Sequence, residues 1–132
     1  MASPNTLPRF VETYRSDEVL IQTADTSLTA PAVAGTVWTA GAQGSRIDLI
    51  VIQAVALTAA GMVRIFVHDG AAYFLFREVS VTAIPAPGST TQAFHDEIDL
   101  TANPLYLASG YTLRATTAIG DDFVITAVGG DY

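Results

Sequence analysis

The chain is predicted to be all-β, an antiparallel two-sheet sandwich of jelly-roll or related Greek-key type with about eight or nine strands and an extended N-terminal arm. Three observations predict it. Apolar residues alternate with a period of two along most of the sequence, turn residues recur between the alternating stretches, and no stretch holds the 3.6-residue spacing of an amphipathic helix. At 132 residues the length suits one domain. Half of those residues are hydrophobic and only 14% are charged, which excludes disorder for the whole chain.

Residues 1–18 stand apart, with Pro4, Pro8, short polar residues and few large apolar ones: Leu7, Phe10 and Tyr14. One reading is a terminus that becomes the first edge strand. The other is an arm reaching a neighbouring subunit, with Phe10 and Tyr14 as anchors and Leu7 beside them as candidate interface residues. Residues 19–132 form the single sandwich domain. The N-terminal third offers weaker strand candidates at 10–14, 18–23 and 36–39.

In the strand at 46–55, Ile47, Leu49, Val51 and Val55 share one side, opposite Asp48, Ile50 and Ile52. A strand apolar on both faces is central or is covered by another subunit. The strand at 62–68 places Val63, Ile65 and Val67 opposite Arg64, Phe66 and His68. Asp69-Gly70 then predicts a tight primed hairpin into the return strand at 72–79. Pro85 and Pro87 keep residues 84–91 out of any central strand. At 93–100, Phe94, Ile98 and Leu100 share a face. Asn103-Pro104 and Ser109-Gly110 bracket a short strand at 105–107. The last pair, 111–116 and 123–128, is expected to join through Gly120-Asp121, with Tyr111, Leu113 and Ala115 facing inward.

Composition narrows the function. Thirteen acidic residues face six basic ones, a net charge of -7, and every basic residue is an arginine: 9, 15, 46, 64, 77 and 114. Scattered arginines give no linear patch for phosphates, so nucleic acid is not an expected partner. The absence of cysteine removes disulfides, thiolate zinc sites and a cysteine nucleophile. The apolar stretch 49–61 is interrupted by Gln53 and Thr58 and is too short to span a bilayer. No secretory leader opens the sequence. A soluble protein made in the cytoplasm, without a membrane partner, is expected.

Chemical motifs are sparse. His95, Glu97 and Asp99 alternate along a strand and so point one way, which permits a bridging divalent ion, although a solvated outer face explains them more simply. His68 reads as a residue flanking a turn, and a two-histidine site with His95 is the sharper alternative. No Gly-x-Ser-x-Gly elbow occurs, and without lysine no Walker loop is complete. Asp121-Asp122 and Gly129-Gly130-Asp131 fit hairpin turns better than calcium loops. A carboxylate pair drawn from distant strands is invisible at this level. No catalytic, cofactor-binding or metal residue is assigned. Phe66, on a face with Arg64 and His68, joins Ile50 and Ile52 as candidate interface positions, because outward apolar residues suit a surface covered by another chain.

The runs Gly44-Ser45-Arg46-Ile47-Asp48-Leu49-Ile50, Ala59-Ala60-Gly61-Met62-Val63-Arg64-Ile65-Phe66-Val67-His68-Asp69-Gly70 and Phe123-Val124-Ile125-Thr126-Ala127-Val128-Gly129-Gly130-Asp131-Tyr132 resemble small virion proteins of tailed bacteriophages. The resemblance covers roughly residues 44–132 and rests on strand-and-turn patterns. It implies a non-enzymatic structural component of the particle, a capsid decoration (cement) protein on the outer shell. Its partners would be the major capsid protein and further copies of itself, with a trimer favoured. A neck, tail or fibre component, including a receptor- or glycan-binding module, is the alternative. The charge fits an outer position, since a packaged polyanionic genome repels an acidic domain.

Overall fold

A computed structural model describes residues 10–132. It contains nine strands: β1 (Thr13–Ile21), β2 (Gly35–Thr39), β3 (Ser45–Ala54), β4 (Gly61–His68), β5 (Tyr73–Val81), β6 (His95–Asp99), β7 (Leu105–Leu107), β8 (Thr112–Thr117) and β9 (Phe123–Asp131). Sheet one runs β1-β9-β3-β6, with β7 pairing the start of β3 beside β6; sheet two runs β2-β8-β4-β5. All strand pairs are antiparallel. With β7 set aside, the other strands nest as hairpins: β4 with β5, β3 with β6, β2 with β8 and β1 with β9. Pairing of β3 with β9 and of β4 with β8 rolls that ribbon into two sheets. This winding is the jelly roll.

The core lies between the sheets and holds Trp38, Ile47, Ile50, Ile52, Val63, Ile65, Leu113, Phe123 and Ile125, all essentially without solvent contact. Each such side chain stabilises the fold by ~1.5–3 kcal/mol relative to exposure. Alternation therefore locates strands correctly, and Leu113 and Ala115 point inward as expected while Tyr111 packs at the core's margin. The 10–14 and 18–23 candidates are one strand: β1 pairs with β9 from Thr13 to Ile21, so residues 13–18 take the edge-strand reading.

Three local expectations change. The hairpin at Asp69-Gly70 is longer than a two-residue primed turn, because His68 pairs with Tyr73 and only Gly70, at φ 100°, takes the left-handed region. The Asp69 carboxylate accepts from the amides of Ala71 (2.9 Å) and Ala72 (2.8 Å), which closes the wider loop. Gly120-Asp121 joins strands in different sheets, so it is a crossing and not a hairpin. Its carboxylate accepts from the Ala59 amide at 2.9 Å and ties two crossings together. Gly129-Gly130 lies inside β9, not in a turn.

Those glycines explain the face assignment of β3. The register moves from Ile47↔Gly129 to Leu49↔Val128, leaving Asp48 as an extra residue. A Cβ on Gly129 would lie 1.9 Å from the Arg46 carbonyl oxygen, so only glycine admits this close approach. The bulge inverts parity after Ile47. Ile50, Ile52 and Ala54 then turn inward, while Leu49, Val51 and Gln53 turn out.

Candidate interaction surface

Registers align the outward residues of sheet one into four rows. Leu20, Val124, Gln53 and His95 form the first, and Glu18, Thr126, Val51 and Glu97 the second. Ser16, Val128, Leu49 and Asp99 form the third, and Tyr14, Gly130, Arg46 and Tyr106 the fourth. The two middle strands contribute Val124, Val128, Leu49 and Val51, none of them fully buried, and Leu20 extends the strip onto β1 at 50% exposure. Acidic residues flank this apolar strip on both sides: Glu18 on β1, and Glu97 and Asp99 on β6. A sheet face open to water ordinarily alternates to polar residues, so an apolar centre with a charged rim has the anatomy of an interface.

The structure redistributes the positions expected to form an interface. Ile50, Ile52 and Phe66 are 0% exposed, so they cannot offer surface to another chain. For Ile50 and Ile52 the bulge is the cause. Phe66 does face outward on sheet two, but its own chain covers it. Tyr73 meets it edge-on at 5.8 Å, and Arg114 lies over the Tyr73 ring while donating to the Tyr73 hydroxyl at 2.7 Å. Phe10 and Tyr14 are 72% and 71% exposed and remain available as anchors. Leu7 lies outside the described residues.

The side chains of His95, Glu97 and Asp99 do share the outer face, but they do not converge: His95 pairs with Glu97 and Gln53, and Asp99 turns to Thr101. His95 Nδ1 is 2.8 Å from the Gln53 amide oxygen and its Nε2 is 3.5 Å from Glu97. Asp99 accepts from the amide and hydroxyl of Thr101, and those bonds hold its pKa below the ordinary value. No three His, Asp or Glu side chains among the described residues converge on a point that could hold an ion. His68, on β4, belongs to the other sheet from His95; it accepts from the Gly70 amide and packs against Tyr73.

One polar cluster gave no signal in the sequence, because its members are far apart along the chain. Arg15 donates to both Asp131 oxygens, at 2.9 and 3.0 Å, to Asp17 and to the Thr39 carbonyl at 2.7 Å. Its guanidinium also lies 3.7 Å from the Trp38 ring centre. Ser45 donates to Asp131 at 2.6 Å and accepts from the Gly41 amide. The hydrogen bond from Arg15 leads the causes that lower the Asp131 pKa. The cluster locks β1, β2, β3 and β9 together at one end of the sandwich.

Beside it, Gln43, Gly44, Ser45, Tyr106, Leu107, Ala108, Tyr111 and Tyr132 line a cleft of about 290 Å³. A second cleft of about 300 Å³ is lined by residues 20–23 and 33–35. Neither carries an Asp, Glu, His or Arg side chain, so neither assembles an acid–base pair. No known protein family, no curated protein and no solved structure matches this chain.

Proposed function

We propose that the chain is a non-enzymatic structural protein of a bacteriophage virion, a decoration protein that seats on the outer capsid surface and stabilises contacts between shell subunits. The observation that carries this reading is the outer face of sheet one, where exposed Leu20 and Val128 and half-buried Leu49, Val51 and Val124 form an apolar strip between acidic margins. The acidic margins favour a shell surface with cationic groups around an apolar patch, and they disfavour face-to-face pairing of two copies through this surface. Self-association instead draws on the exposed Phe10 and Tyr14, near the start of the described chain.

Purified expanded shells incubated with the recombinant protein should bind it and melt at a higher temperature. Leu49→Lys combined with Val128→Lys should weaken that binding at least about tenfold, since charges placed in an apolar interface centre carry the cost of desolvation. Absence of the protein from purified particles, together with no binding to shells, would end this reading. A neck, tail or fibre location is the second reading, favoured by the tyrosine-lined cleft. Gold labelling of particles in negative stain separates head from tail.

A further inference from the structure

We infer that the cleft between β7 and the C-terminal end of β9 is a binding site for a neutral saccharide. The inference goes beyond the structural role, since the site lies next to the apolar strip and uses different residues.

Its walls are fixed by the backbone. Gly44, at φ 89°, closes the turn before β3 through a 2.9 Å bond from its amide to the Gly41 carbonyl. A Cβ there would sit 3.0 Å from the Leu107 carbonyl oxygen, so the cleft floor at this point is bare backbone. The Tyr132 amide donates to the Gly44 carbonyl at 3.2 Å, and the Tyr111 amide donates to Ala108 at 3.0 Å across the β7–β8 turn. These bonds fix the backbone of Tyr111 and Tyr132, and pairing of β7 with β3 fixes that of Tyr106, so binding costs little backbone ordering.

The rings supply the recognition. Tyr106 and Tyr132 lie nearly parallel, 19° apart with centroids 6.1 Å apart. Tyr106 is 64% exposed, and a ring held this way with so much open surface is a platform. Pairing of β7 with β3 turns Tyr106 outward, because its neighbour Leu107 fills the core. Sugar rings present flat C–H faces that stack on tyrosine and hydroxyls that hydrogen-bond to phenols, amides and backbone groups.

Charge narrows the class. No charged side chain lines the cleft itself; Arg46 stands beside it, opposite Tyr106 in the β3–β7 register, with its guanidinium engaged 2.9 Å from Asp48. With the guanidinium of Arg46 already paired with Asp48, a chain of net charge -7 disfavours phosphate, sulfate and sialic acid. The volume sits at the low end of the ~300–1,000 Å³ range for small-molecule sites, which suits a terminal sugar and not a long chain segment.

The test applies the full-length protein to an array of neutral oligosaccharides ending in glucose, galactose, mannose or N-acetylglucosamine, with sialylated and sulfated glycans alongside. Saturation-transfer NMR with the free sugars at millimolar concentration accompanies it. Neutral glycans should bind, with transfer to the sugar C–H protons. Tyr106→Ala should lose at least about tenfold in affinity and Tyr106→Phe should keep most of it, with melting temperatures unchanged because Tyr106 is exposed. No neutral glycan bound in either assay, binding confined to anionic glycans, or binding undiminished in Tyr106→Ala would each overturn the inference.

Discussion

The middle strands of the two sheets treat their outward apolar residues differently, although the edge strand β5 of sheet two also exposes Phe74 (55%) and Leu75 (38%). On sheet two, Phe66 is sealed by Tyr73, which is in turn held by Arg114, and the neighbouring Arg64 is paired with Glu78 at 2.8 Å. On sheet one, Val128 lies between Ser16 and Leu49, and the long polar neighbours of Val124 and Val51, Gln53 and Glu97, are engaged with His95 and with backbone carbonyls. An outward apolar side chain is therefore no sign of a missing partner when a long side chain of its own sheet can fold over it. The informative surface is one that stays partly open among the described residues, as at Leu20 (50% exposed) and Val128 (37%).

The most severe test of this contrast uses adjacent residues. Ile52→Lys places an ammonium in the core without a partner and should cost more than about 4 kcal/mol, enough to leave no folded protein. Val51→Lys sends the same charge outward and should cost less than about 1 kcal/mol. Urea denaturation of both variants reads the difference. Equal tolerance would place the parity inversion of β3 elsewhere and restore Ile50 and Ile52 as surface residues.

That pair also marks what the sequence made legible. Strand positions, the two-sheet class and the inward set on β4 and β8 follow from alternation, because burial on one face imposes a period of two. The faces of β3 do not follow, since one inserted residue at Asp48 exchanges them and both sets are aliphatic. The available signal was Gly129-Gly130 within an alternating run, where glycine marks a bulge or a close backbone approach. The Arg15–Asp131 cluster and the tyrosine cleft stayed hidden for a different reason. Their members meet only through long-range pairing: Arg15 and Asp131 are separated by 116 positions, and Tyr106 meets Tyr132 because β7 and β9 both pair with the start of β3.

The second test concerns the end where the two sheets are locked together. Arg15→Ala removes a two-pronged contact to Asp131 and a cation over Trp38, and should cost about 2 kcal/mol in urea denaturation. The pH dependence fixes the cause. The folded-state pKa of Asp131 is lowered, so its stabilisation is complete above the unfolded value of about 4 and is lost as pH falls through the lowered folded value. The stability gap between the wild type and Asp131→Asn should be constant from pH 7 to about pH 5 and shrink below about pH 4. A gap that stays constant to pH 2 would assign the effect to packing and not to the ionised carboxylate.

The smallest effect comes from removing the cover on sheet two. Arg114 reaches Thr112 at 2.9 Å through Nε and the Tyr73 hydroxyl through Nη1, so its stem and head hold Tyr73 against Phe66. Arg114→Ala leaves Phe66 in place but frees the ring that shields it, at a cost of about 1 kcal/mol. The sharper readout is a hydrophobic dye such as ANS. Wild-type protein already presents the sheet-one strip and, on β5, Phe74 and Leu75, and Arg114→Ala should add the Phe66 surface and raise the fluorescence. Val128→Thr should lower it with almost no change in stability, because a β-branched residue of similar shape keeps the strand and removes only exposed apolar surface. If Arg114→Ala left dye binding unchanged, the shielding of Phe66 would rest on the backbone of its neighbours, and the two faces would differ in strand geometry and not in side-chain length.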